Sequence, residues 1–162
     1  MKSKPVIIAT RPIQTPRGVF AAHYSAAGLA RLDFPGRRAI AATSADSPSV
    51  RRWHKQAGLA VNRILKGRAP GELPSLDLAA GTPFQRKVWA ALRQIPAGQT
   101  KSYGQLAAAA GAPKAARAVG STCAANPIPL LIPCHRVIPS GGGLGGFSGG
   151  LRWKRLLLNS EL

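Results

Sequence analysis

The sequence predicts an α/β (α+β) fold in two units, a small N-terminal sheet-plus-helix domain over residues 1–79 and a mostly helical C-terminal domain with a helix-turn-helix over residues 80–162. Three observations predict it. Short apolar runs alternate with turns near the start, a Pro- and Gly-rich stretch "KGRAPGELPSLDLAAG" divides the chain near residue 80, and a series of capped helical patterns follows. With 162 residues, 45% of them hydrophobic, the chain can enclose a core.

Taken in order, "GVFAAHYS" and "GLARLDFPG" form two strands joined through Ala26, Ala27 and Gly28. Over residues 46–68, Val50, Trp53, Ala57, Val61 and Ile64–Leu65 recur at helical spacing, with Ser47 as N-cap and Pro48 in the first helical position. Beyond the Pro/Gly stretch, Thr82, Pro83 and Gln85 supply an N-cap, an N1 proline and a capping-box partner for a helix with an apolar stripe of Phe84, Val88, Ala91, Leu92 and Ile95. "IPAGQT" ends it. Ser102 and Gln105 repeat the capping box ahead of "YGQLAAAAG", which stops at Gly111. Pro113 opens the next helix, "PKAARAVGSTCAA", which Asn126–Pro127 terminates. The last segment, "LRWKRLLLNSEL", is a short helix with basic and apolar faces.

The two helices joined by "GAP" make a helix-turn-helix. The second is built of small residues, with Lys114, Arg117, Ala118 and Ser121 on one face and Ala116, Val119 and Cys123 on the other. A slim outward face permits close approach to a partner surface, and the narrow minor groove of DNA gains most from it, although tight packing in a helical bundle would select the same residues. Charge favours the nucleic-acid reading. Lys and Arg total 23 against 5 acidic residues, a net charge of +18. Residues 1–79 carry 13 basic and 4 acidic groups and residues 80–162 carry 10 and 1, so the excess covers the whole chain. Such a balance fits a polyanionic partner.

The start, "MKSKPVIIATRP", has too short an apolar run for a signal peptide, and no run approaches the ~20 apolar residues of a membrane span. A soluble, cytoplasmic protein with free thiols and no membrane partner is expected. Two cysteines and three histidines form no four-ligand zinc set at usual spacing.

Cys134 and His135 sit side by side in "LIPCHRVIPSGGGLGGFSGG". Alone, the pair allows a nucleophile, a metal ligand or a buried core thiol. A free thiol has a pKa of ~8.5 and needs a base or a nearby cation to react at neutral pH. Sequence neighbours on a regular strand face opposite ways, so His135 can serve Cys134 only across an irregular backbone or a bridging water. Pro133 and Pro139 make a regular ladder improbable here, and Arg136 adds positive field. A nucleophile just after a DNA-reading helix and before a glycine-rich loop points to chemistry on a base flipped out of the duplex.

Residues 81–161, through "GTPFQRKVWAALRQIPAGQTKSYGQLA", "RAVGSTCAANPIPLLIPCHRVIPSGG" and "GGLRWKRLLLNSE", resemble the O6-alkylguanine-DNA alkyltransferases. The resemblance implies single-turnover transfer of an alkyl group from guanine O6, and from thymine O4, in double-stranded DNA to the chain's own cysteine. No cofactor and no obligate protein partner are implied, and the protein acts as a monomer. Cys134 would accept the alkyl group, His135 would act as a base through water, and Glu161 would orient that histidine. Tyr103 would help guanine leave. Arg117 would fill the space of the flipped base, with Lys114, Ala118, Ser121, Asn126 and Arg136 completing the DNA-binding set, Asn126 as the turn residue that links the helix-turn-helix to the active site. Val137, Phe147 and Ser148 would line the base pocket. The family usually has tyrosine at Phe147, so an aromatic wall is kept and a hydroxyl lost, with a slower transfer or an altered alkyl preference as the implied consequence. Some relatives carry zinc in the N-terminal domain, but this N-terminal half has no cysteine, so no metal is expected. Two other readings compete: a non-catalytic binder of damaged DNA, and a Cys-His hydrolase that turns over small acyl substrates.

Overall fold

The computed structural model describes residues 3–36, 40–43 and 46–162; the first two residues of the basic start lie outside them. Three antiparallel strands, β1 (Ala9–Thr15), β2 (Gly18–Ser25) and β3 (Gly28–Asp33), form a sheet in that order. Both expected strands are present, and Ala26–Ala27 turn between them. The sequence reading did not assign β1. It contains Pro12, opposite Ala21 in the ladder, and an edge strand tolerates the missing N–H because one side lacks a full neighbour.

Helix α1 (Pro48–Ile64) lies on this sheet. Ser47 accepts from the Val50 N–H, as its N-cap position predicts, and Val50, Trp53, Ala57, Ala60, Val61 and Ile64 are buried. Residues 75–77 then dock on the edge of β3 through Leu29 N–H to the Ser75 carbonyl and Asp77 N–H to the Leu29 carbonyl, both 2.8 Å.

Helices α2 (Pro83–Leu92) and α3 (Tyr103–Ala109) both carry complete capping boxes, Thr82 with Gln85 and Ser102 with Gln105. Helix α4 (Ala116–Ala124) starts three residues later than Pro113, where the sequence placed it. Residues 113–115 form a turn, and no side chain caps α4. The Trp89 indole N–H donates to the Thr122 carbonyl at 3.2 Å, tying α2 to α4. A two-residue parallel pair, β4 (Lys101–Ser102) with β5 (Val137–Ile138), sets the start of α3 beside the Cys134 segment. Helix α5 (Leu151–Ser160) closes the chain.

One apolar cluster runs from the sheet through α1, α2, α4 and α5. The sheet and the residues just after it meet the C-terminal half directly. Leu32 N–H donates to the Pro127 carbonyl at 2.9 Å, and Phe20 and Phe34 pack on Trp153 at 5.5 and 5.0 Å. No helix of the described residues is long and apolar enough to cross a membrane.

Candidate active site

The segment before the cysteine is held from inside. Asn126 is buried; its amide donates to the Ile132 carbonyl at 2.8 Å and its carbonyl accepts from Ile128 N–H at 3.0 Å. Leu130 in the same turn is the one non-glycine described residue with positive φ, at 70°. This tight turn delivers Cys134 into a 3₁₀ turn, Cys134–Arg136. The irregular backbone expected between Pro133 and Pro139 is therefore present for three residues, followed by the short strand β5.

Cys134 is 4% exposed and opens on a cavity of about 360 Å³ lined by Tyr103, Gly120, Cys123, Ala124, Cys134, Gly146, Phe147 and Ser148. Burial pushes its thiol pKa up, while the neighbouring Asn126 side chain and the Lys154 charge oppose that rise. At rest the group is a protonated thiol that needs a base.

His135 is fully buried. Its Nε2 lies 2.8 Å from Glu161 Oε1, and its Nδ1 has no hydrogen-bond partner in the protein. With Nε2–H donating to the carboxylate, Nδ1 presents its lone pair and is the free basic site. Burial lowers the histidine pKa, against the opposing hydrogen bond to the Glu161 carboxylate, so the ring is neutral at physiological pH.

Glu161, at the end of α5, has a side chain 3% exposed. Burial alone would raise its pKa. The hydrogen bonds and charges of His135 and Arg136 outweigh burial and bring it down to about 2. Arg136 Nη2 reaches Oε1 at 2.8 Å, Arg136 Nε reaches both oxygens at 3.1 Å, and Gly98 N–H donates to Oε2 at 3.2 Å. The carboxylate stays charged and fixed under the ring.

Two residues named for DNA sit elsewhere. Arg136 points inward, engaged by Glu161 and by the Ile95 carbonyl at 2.6 Å, so it holds the carboxylate rather than presenting a free surface charge. Asn126 is buried in the turn and presents no surface either. Arg117, Ala118, Ser121 and Lys114 are exposed together on the outer face of α4 and the turn before it, while Val119 and Cys123 face the core. Ser121 Oγ returns its hydrogen bond to the Arg117 carbonyl at 3.3 Å.

Tyr103 opens α3 and lines the cavity; desolvation, then the two cysteines, raises its pKa and keeps its hydroxyl protonated. Phe147 supplies an aromatic wall and is itself backed by Phe34, with ring centroids 5.6 Å apart. Ser148 is on the rim. Val137 is buried behind the cavity, and its carbonyl accepts from Lys154 Nζ at 2.6 Å.

Lys154 is a site residue that sequence reasoning missed. It is fully buried, its ammonium also reaches the Gly146 carbonyl at 3.2 Å, and desolvation lowers its pKa. It ties the glycine-rich loop to the cysteine segment and places positive charge near the thiol. Its register carried the signal: Lys154 lies three residues before Leu157, on the buried side of α5, where a surface lysine is not expected. Cys123 is the second thiol in the cavity, its pKa pushed up to about 12 by burial and by Cys134.

The chain that carries this arrangement is similar to known proteins. The family described as "6-O-methylguanine DNA methyltransferase, DNA binding domain" matches residues 83–162. A methylated-DNA–protein-cysteine methyltransferase of Salmonella typhimurium is 59% identical over 90 residues, which cover 55% of this chain and 53% of the relative, so the match spans about half the relative's length. One from Mycobacterium tuberculosis is 44% identical over 119 residues, 70% of this chain and 72% of the relative. The crystal structure of Mycobacterium tuberculosis OGT in complex with DNA has a TM-score of 0.73 at 36% identity, covering 94% of this chain and 92% of that one. The shared sequence and fold together place the chain in the methylated-DNA–protein-cysteine methyltransferase family.

Proposed function

We propose that this chain repairs alkylated DNA by moving the alkyl group of O6-alkylguanine, and of O4-alkylthymine, irreversibly to Cys134. The observation that carries this reading is the buried Cys134 thiol on a cavity that also presents the Tyr103 hydroxyl, behind which His135 is kept neutral by burial and positioned by Glu161.

The thiol proton passes through a water to His135 Nδ1. The resulting imidazolium is stabilised by Glu161, whose charge is secured by Arg136. The sulfur attacks the alkyl carbon, an S–C bond forms, and the O6–C bond breaks. The departing guanine takes a proton from the Tyr103 hydroxyl. The product is a neutral thioether that no group in this cavity can cleave, so each molecule reacts once. A cavity this size admits a purine only after the base leaves the stack, and Arg117 on exposed α4 is the side chain that takes its place in the duplex. Small residues on α4 suit the minor groove. Residues 80–162 would carry the chemistry, with residues 1–79 as the supporting unit.

Duplex bearing O6-methylguanine is expected to lose one methyl group per protein molecule and then stop, and Cys134→Ala to remove none while binding DNA as before. Continued turnover, or repair by Cys134→Ala, would refute the assignment. A bacterial relative's DNA complex supports the partner; the same loss with single nucleosides alone would not require duplex at all.

A further inference from the structure

The outer face of α1 is strongly basic and has no role in the site described above. Arg51, Arg52, Lys55 and Arg63 are exposed on it, and Lys66 and Arg68 continue it past the helix end. The helix has no acidic residue anywhere along its 17 residues. Arg51 pairs with Asp46 at 2.8 Å, and no other of these six cations makes an ion pair among the described residues. The arrangement costs the helix stability. Arg51 and Lys55, and Arg52 and Lys55, are like charges at four- and three-residue spacing. Arg51 also sits in the first turn, at the positive end of the helix dipole. A cationic row maintained against both effects fits a polyanion.

The occupant is narrowed by what the face lacks. Leu59 is its one large exposed apolar residue, 58% exposed, too little to enter a lipid surface. A second copy of a chain with net charge +18 would repel it. The row from Arg51 to Arg63 spans ~18 Å, the rise of about five phosphates along one DNA strand. Helix α1 packs on the three strands and has no substantial contact with α3 or α4. Its basic face is therefore separate from the exposed face of α4.

We propose that the outer face of α1 binds the phosphate backbone of a second duplex segment, so that one molecule bridges two stretches of DNA. This rests on the DNA-binding reading of α4. Contacts to phosphate carry no sequence information, so this binding is independent of sequence and of the lesion.

The test is a bridging assay. A duplex on beads is loaded with protein, and retention of a free fluorescent duplex is measured at about 100 mM salt. The full chain is expected to retain the second duplex. The double variant Arg52→Glu/Lys55→Glu is expected to lose at least fivefold of that retention while loading the beads and alkylating Cys134 as before. The control Lys4→Glu/Arg17→Glu, with the same charge change at exposed sites off the helix, is expected to keep it. The α1 variant should melt no lower than the parent, because Lys55→Glu turns the like-charge spacing to Arg51 into an opposite-charge one and the 52/55 spacing stays like-charged as before. Equal retention by all three proteins, equal loss in both variants, or bead loading without retention by the parent would overturn the proposal. Failure of the parent to load the beads or to alkylate would count instead against the DNA-repair reading itself.

Discussion

At the scale of single residues the site works by separating charge states. Cys134 is buried and raised, His135 is buried and lowered, and Glu161 stays ionised at about 2 because two cationic or donating partners outweigh burial. Two pH effects follow. In the proposed mechanism transfer requires neutral His135, whose pKa burial lowers from 6.5, so the rate should fall on an acid limb centred below pH 6.5; rapid-quench measurement across pH checks it, and a limb above 7 would contradict it. Glu161 has a folded pKa lowered from 4.5 to about 2, so its contribution to stability is present above pH 4.5 and is lost as pH falls through about 2. Glu161→Gln should therefore lower stability at pH 7 and flatten the acid unfolding curve between pH 4.5 and 2, as denaturant titrations at several pH values would show.

At the scale of elements, the two capping boxes have the same local chemistry and different consequences. Thr82→Ala and Ser102→Ala should each cost about 1 kcal/mol in denaturant unfolding. Only Ser102→Ala should also slow transfer, because Ser102 precedes Tyr103 and pairs with Ile138 in the β4–β5 ladder. Both boxes were legible because a Ser or Thr followed at three residues by Gln is a local signal. The same holds for Ser47 and Pro48 at α1. Local signals also explain what was not legible. β1 hid behind Pro12, β4 and β5 are two residues each, and α4 starts at Ala116 because no side chain caps it, so Pro113 gave a false start. At the site, "PCHRV" and the small-residue helix directed attention to the right side chains. The inward turn of Arg136 depends on Glu161, 25 residues away, and no pattern near Arg136 contains that information; the burial of Lys154 is signalled by its register on α5, but its partner Val137, 17 residues away, is not.

At the scale of the whole molecule, the N-terminal half buttresses the segment that carries the Glu161 carboxylate. Gly67, just after α1, has φ 68°, and a Cβ there would lie 1.7 Å from the Ser160 carbonyl oxygen, immediately before Glu161. Gly67→Ala should destabilise the fold by at least ~2 kcal/mol in thermal or denaturant unfolding, and at temperatures where the variant remains folded its transfer rate should still be low, since the backbone carrying Glu161 is displaced. The net charge of +18 acts globally too: duplex affinity should drop steeply with salt, with a log–log slope of about −0.9 for each phosphate contacted. The central claim is that Cys134 is the alkyl acceptor, and mass spectrometry of the protein after reaction with O6-methylguanine duplex tests it most directly. A gain of one CH2 is expected on the peptide containing Cys134, with the Cys123 peptide unchanged. An unmodified Cys134 in protein that has bound the duplex, or the added mass on Cys123, would contradict it.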